Sequence, residues 1–329
     1  AGLGRYQEAL DGLEGLDTAA AGVDLDELKA GVERLRRQSG GDFSFLDVYG
    51  AGLGEEACQP TATTSLLPYL ADYAGPVEVT VTEKGRGLRT TRDMLGGEVI
   101  FASAPLAVSP AGPVGAPDPF LPELFLACEV SPHARRIVSE LLSGGDATNE
   151  VAIRDFSWAS AGRSETEAAM PDKERIVAVT KTNCFEDFGY SALYPAVSMA
   201  NHSCVPNATI NAVGHNVVIR STQGIPAGSD VCIPYFDVLR TYSERQNLTK
   251  SWGFKCSCPR CTFESELPEK LQDPGATAAE VEAALNDPAT GVDPASREAQ
   301  WVRAGHLKAY KESAEALFPL SEEAAVERA

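Results

Sequence analysis

Apolar positions near the start of the chain recur at three- and four-residue spacing, first at Tyr6, Ala9, Leu10 and Leu13, then at Leu25, Leu28, Val32 and Leu35. This spacing places each set on one helical face, so residues 1–38 read as a helical hairpin. Residues 39–75 are rich in Gly, Thr and Ser and read as a linker, with a short helix near Phe45 to Tyr49. From Val77 the pattern changes to alternation among β-branched residues, "VEVTVTEKGRGLRTTRDMLGGEVIFASAPLAV", with Gly85, Gly87, Gly96 and Gly97 at turns. That is the signature of successive short strands. Residues 111–175 are punctuated by Pro and Gly and read as an inserted segment that is helical in patches, notably Pro132 to Leu142. Beyond Ile176 the pattern predicts short strands and loops as far as Tyr235. From Thr241 it turns helical again and ends at Trp301 to Phe318, where Val302, His306, Tyr310 and Ala314 share a face. The fold class is α+β, a β-rich core with flanking helices.

Composition narrows the picture. The 329 residues are 43% apolar, enough for a sizeable core, and the longest apolar run, Val99 to Val108, is interrupted by Pro105. It falls well short of the ~18 residues a membrane span needs, so no membrane helix is expected. The first residue is Ala1, with no signal-peptide layout after it, and the start reads as a cut inside a longer protein. Forty-seven acidic side chains against 28 basic ones give a net charge of -19, which opposes contact with a phosphate backbone. Direct nucleic-acid binding is therefore not expected. Such a field attracts basic polypeptides, although surplus carboxylates also simply keep a protein soluble.

Of eight cysteines, Cys256, Cys258 and Cys261 crowd into the stretch "FKCSCPRC". Clustered thiols suit a metal site in a reducing compartment better than a disulfide framework, which points to nucleus or cytoplasm. Three thiolates leave a tetrahedral zinc site one ligand short. The candidate for the fourth is Cys204 in "NHSCVPNA", 52 residues upstream of Cys256.

Four separated blocks then occur in order: "KGRGLRTTRDMLGGEVI" at 84–100, "TNCF" at 182–185, "LYPAVSMANHSCVPNA" at 193–208 and "VCIPYFDVLRTYSERQNLTKSWGFKCSCPRC" at 231–261. In these the chain resembles the SET-domain protein-lysine methyltransferases with a post-SET zinc site. Within that family it is similar to proteins joining tetratricopeptide repeats to a SET domain and to the SET and MYND group. A MYND finger is absent, because residues 101–175 contain only Cys128.

The resemblance implies a SET domain at 76–238 with a knotted C-terminal segment, a zinc-bound post-SET segment at 239–263 and a helical region at 264–329. Residues 1–38 would be the end of a tetratricopeptide array offering a surface to protein partners. It also implies S-adenosylmethionine as cofactor, contacted by Lys84, Gly85, Arg86, Asn183, Ser198, Asn201, His202, Tyr235, Trp252 and Phe254, and zinc held by Cys204, Cys256, Cys258 and Cys261. Residue types agree with these roles: glycines allow close backbone approach, Asn201 and His202 offer hydrogen bonds, and Trp252 and Phe254 offer stacking surface. Tyr235 is the expected catalytic residue, its hydroxyl orienting a neutral lysine amine. Pro234 departs from the family pattern by removing a strand donor just before Tyr235, and Trp252 stands where the family often has Tyr. The expected function is methyl transfer to lysine side chains of a protein substrate, histone or non-histone. The alternative is a catalytically weak SET-fold interaction or scaffold protein, since fold alone does not establish activity.

Overall fold

The computed structural model describes residues 6–14, 25–44, 70–82, 85–110, 119–141, 168–186 and 189–317. The chain divides into two units, one of residues 1–201 and 207–233, the other of 202–206 and 234–329.

In the first unit, helices α1 (Tyr6–Leu13) and α2 (Leu25–Ser39) occupy the two amphipathic stretches. Tyr6, Val32 and Leu35 are buried together with Ala71, and Ala9, Leu10 and Leu13 pack against them. Gln38 is also buried, and its side-chain oxygen accepts the Ala71 N–H at 3.0 Å. The end of the segment read as linker is therefore structural: Leu70 and Ala71 are core residues, and Tyr73–Ala74 forms strand β1. The short helix expected near residues 45–49 lies outside the described residues.

The alternating stretch forms β2 (Val77–Thr82), β3 (Gly85–Thr90), β4 (Val99–Ser103) and β5 (Ala107–Pro110). Later come β6 (Cys184–Phe185), β7 (Tyr190–Leu193), β8 (Asn201–His202), β9 (Ala208–Val213), β10 (Asn216–Ser221) and β11 (Asp230–Ile233). One antiparallel sheet has the order β1-β4-β10-β9, a second carries β2-β3-β11 and a small third is β5-β7-β6. The hairpin β9–β10 pairs Val217 with Ala212 and Ile219 with Ile210. Its inner strand, β10, is buried continuously from Asn216 to Ile219, as expected for a strand paired on both edges and covered.

Helices α3 (Phe120–Val130) and α4 (Pro132–Glu140) fill part of the inserted segment. Ser131 separates them, and its hydroxyl caps α4 by accepting the Ala134 N–H ahead of Pro132 at the first helical position. One expectation fails here. The stretch after Ile176, read as strand and loop, is instead helix α5 (Lys173–Asn183). Its Ile, Val and Thr residues imitate a strand locally, but Ile176, Val179, Thr180 and Asn183 are the buried positions, which is helical spacing. Asp172 caps the start by accepting the Arg175 N–H at 2.7 Å. Thr180 satisfies its hydroxyl on the Ile176 carbonyl one turn back.

The second unit is helical: α6 (Tyr242–Thr249), α7 (Pro259–Ser265), α8 (Ala278–Leu285) and α9 (Arg297–Leu317). Thr241 and Glu244 form a capping box at α6, and Thr277 and Glu280 another at α8. Leu267, Leu271, Val281, Leu285, Ala299 and Val302 make its apolar core. Gly305 of α9 lies so close to the Arg240 carbonyl that a Cβ would come within 2.8 Å of it, so the approach requires glycine.

Ile219 is fully buried in β10, whereas Leu95 is 78% exposed. Ile219→Ala is therefore expected to cost about 2–5 kcal/mol and Leu95→Ala under about 0.5 kcal/mol in urea unfolding. Equal losses would contradict this placement of the core.

Candidate functional site

The four cysteines singled out by spacing converge in the second unit. Their sulfurs all lie within 4.8 Å of one another, and every one of the four residues is buried. Cys204 Sγ is 3.9 Å from Cys256 Sγ and 3.6 Å from Cys261 Sγ. A tetrahedron with metal–sulfur arms of about 2.3 Å has edges of roughly 3.8 Å, so these separations fit a zinc-sized cation at the centre. No disulfide links them. Proton sharing among the sulfurs, chiefly the Cys204 hydrogen bond to Cys256, holds Cys256 well below the ordinary thiol range and pushes Cys204 above it. A central cation would relieve that conflict by holding all four as thiolates.

Around the sulfurs is a layer that sequence reading missed. Arg245 is fully buried on α6, donating from Nε to Cys204 Sγ at 3.2 Å and approaching Cys261 Sγ with Nη2 at 3.7 Å. It also pairs with Glu264 and donates to the Arg240 carbonyl. Burial alone would lower its proton affinity, but Glu264 and the sulfurs of Cys204 and Cys261 outweigh that and keep it charged. Arg260 completes the layer, donating to Glu264 at 2.7 Å, to the Val238 carbonyl at 2.7 Å and to the Trp301 carbonyl of α9 at 3.0 Å. Two guanidinium groups and one carboxylate bring a single net positive charge next to a centre that four thiolates and a divalent ion would leave doubly negative. The signal for Arg260 and Glu264 was their spacing of four on a helix. Arg245 had none, because "YSERQNLT" reads as an exposed polar helix.

Beside the cysteines stands a set of aromatic rings. His202 packs against Phe236 at 4.6 Å between centroids and Tyr235 at 5.3 Å, and Tyr235 packs against Trp252 at 5.6 Å and Phe254 at 6.4 Å. Tyr235, Trp252 and Phe254, predicted as ligand contacts, are thus brought together, each half-buried. Phe236 was not predicted. His202 was expected to offer its ring to a cofactor, yet both ring nitrogens have partners within the unit: Nδ1 accepts the Tyr235 N–H at 3.1 Å and Nε2 lies 3.3 Å from Cys204 Sγ.

The other predicted residues lie in the first unit. Gly85 opens β3 with φ +88°, a conformation that favours glycine. Two residues on, a Cβ at Gly87 would come within 2.5 Å of Asn201 Nδ2, so Asn201 is seated against a glycine backbone with no room for a side chain. Arg86 is buried, and its guanidinium donates to the Glu140 carbonyl at the end of α4 at 2.6 Å. That bond anchors one edge of the Arg86 guanidinium to the end of α4. Asn183 donates to the Val179 carbonyl at 2.9 Å, and the Ser198 hydroxyl donates to Tyr194 and Asn183 carbonyls at 2.9 and 3.4 Å. Lys84 lies outside the described residues.

Residues 85–236 match the SET domain family model, from the first glycine of β3 to Phe236. This stretch is a SET domain. Among curated relatives, histone-lysine N-methyltransferase ASHR2 of Arabidopsis thaliana is 36% identical over 98 residues, covering 27% of this chain and 25% of that protein. Histone-lysine N-methyltransferase SMYD3 of Mus musculus is 38% identical over 80 residues, 24% of this chain and 19% of its own. A protein named "Methyltransferase" from Gibberella zeae matches at 25% identity over 300 residues, 79% of this chain and 40% of that protein. The chain thus spans a quarter or less of the first two relatives and 40% of the third. Among the described residues, no helix is long and apolar enough to cross a membrane.

The contact of Arg245 with Cys204 and Cys261 gives a direct test. Arg245→Met should lower metal affinity roughly 10–100-fold, as loss of a group supporting metal ligands commonly does. Competition with a chromophoric chelator measures it, and unchanged affinity would show that the guanidinium does not support the centre.

Proposed function

We propose that this chain is the catalytic part of an S-adenosylmethionine-dependent protein-lysine methyltransferase. The observation that carries the reading is the SET domain match, which includes the glycine strand β3, the pair Asn201–His202 and Tyr235. The names of ASHR2 and SMYD3 state histone-lysine methylation for those proteins. By analogy the substrate here is a lysine side chain of a protein, histone or non-histone.

When bound, the cofactor supplies a sulfonium-linked methyl group whose transfer to a neutral lysine amine leaves a thioether. The residues' share of the work is binding, orientation and exclusion of water. In the first unit, Lys84, the main chain of Gly85 and Arg86, and the amide of Asn201 are the proposed cofactor contacts, with Asn183 and Ser198 supporting them. The absence of a side chain at Gly87 supports this role for Asn201, because it lets that amide pack directly against the β3 backbone. In the second unit, the rings of Trp252 and Phe254 suit the face of an adenine and exclude water. The Tyr235 hydroxyl orients the lysine amine for in-line attack, which is where much of the acceleration of such a reaction resides. Zinc is the proposed ion for the four cysteines, on the fit of their separations. A reducing compartment, nucleus or cytoplasm, suits that centre, and helices α1 and α2 would close a repeat array through which the whole protein meets partners.

The test is transfer of a labelled methyl group to a panel of histones and cell proteins by wild type and Tyr235→Phe, with cofactor binding by calorimetry in parallel. Tyr235→Phe should bind cofactor nearly as wild type while turnover falls roughly a hundredfold or more, the usual scale for a lost group that stabilises a transition state. No transfer by wild type would favour the scaffold alternative. Equal turnover would remove Tyr235 from catalysis.

A further inference from the structure

We infer that His202 is a positioning residue that transmits the geometry of the four-sulfur centre to Tyr235. The two residues are 33 apart in sequence, and the imidazole reaches between them. Its Nδ1 accepts the Tyr235 main-chain N–H at 3.1 Å. A nitrogen that accepts carries no proton, so this hydrogen bond selects the tautomer with its N–H on Nε2. That nitrogen lies 3.3 Å from Cys204 Sγ, which is placed to accept it. The ring therefore holds a ligand sulfur with one nitrogen and the Tyr235 backbone with the other.

Two further observations show why this contact sets a position and does more than fill space. His202 is only 6% exposed, and Phe236 at 4.6 Å and 34°, with Phe254 at 6.1 Å, fixes the plane of the ring. Rotation would break both hydrogen bonds at once. In addition, Pro234 has no N–H, so Tyr235 supplies the first main-chain donor after Ile233, and that donor is spent on His202. A shift of Cys204 would consequently be felt at Tyr235 through one rigid ring. The geometric link stands without any assumption about activity, and only its consequence for turnover rests on the proposed role of Tyr235.

Three substitutions separate the two ends of the link. His202→Asn keeps an acceptor where Nδ1 stands, His202→Gln keeps a donor where Nε2 stands, and His202→Ala removes both. The primary readout is hydrogen exchange at the Tyr235 amide, followed by fragmentation mass spectrometry on the whole chain. Exchange should quicken roughly tenfold in His202→Ala and His202→Gln, the scale of one lost hydrogen bond, and stay near wild type in His202→Asn. Chelation of the metal should quicken it in wild type and add little in His202→Ala. Methylation assays should show kcat falling in the Ala and Gln variants, with recovery in Asn. If His202→Ala does not fold, the contrast between Gln and Asn decides the question. Equal Tyr235 exchange in wild type, Gln and Ala would overturn the inference. The expected exchange pattern without methyl transfer by wild type would uphold the link and refute only the catalytic reading.

Discussion

Four thiol groups within 4.8 Å of one another in a buried pocket cannot all ionise without a cation, and much of the second unit is organised around that constraint. Cys204 comes from a five-residue piece of chain, 202–206, that belongs to this unit although it is remote in sequence from the rest of it. Its thiol lies among the other three there. Arg245 answers their negative charge, Glu264 answers Arg245, and Arg260 ties Glu264 to the carbonyls of Val238 and of Trp301 on α9. The cost of burying these charges is offset only because each finds its opposite and its hydrogen bonds.

The same economy of partners governs the residues expected to meet a cofactor. Arg86 and His202 are polar groups in buried places, and each is anchored inside the fold, Arg86 on the Glu140 carbonyl and His202 on Tyr235 and Cys204. Side chains committed in this way position the backbone around them. Gly87 has no side chain, and Asn201 occupies the space that one would have taken.

Much of this was legible in the residues because it depended on local pattern or on chemistry that few residue types supply. The faces of α1 and α2 followed from spacing, β2 to β5 from alternation, and the four-cysteine cluster from a tight trio with one remote thiol. What stayed hidden depended on tertiary context. Helix α5 was concealed by β-branched residues whose burial only the packed structure reveals. Arg245 sits in a stretch polar enough to pass for a surface, yet it is fully buried. The partners of the His202 ring lie at Cys204 and at Tyr235, and no local periodicity joins the second of these to it.

The claim on which the account depends most is that Cys204, Cys256, Cys258 and Cys261 together hold one zinc ion. X-ray absorption at the zinc edge of the purified chain tests it directly. Zinc held by the four cysteines would give a single shell of four sulfur atoms at about 2.3 Å. A shell containing nitrogen or oxygen ligands, or protein that carries no zinc after purification without chelators, would contradict it.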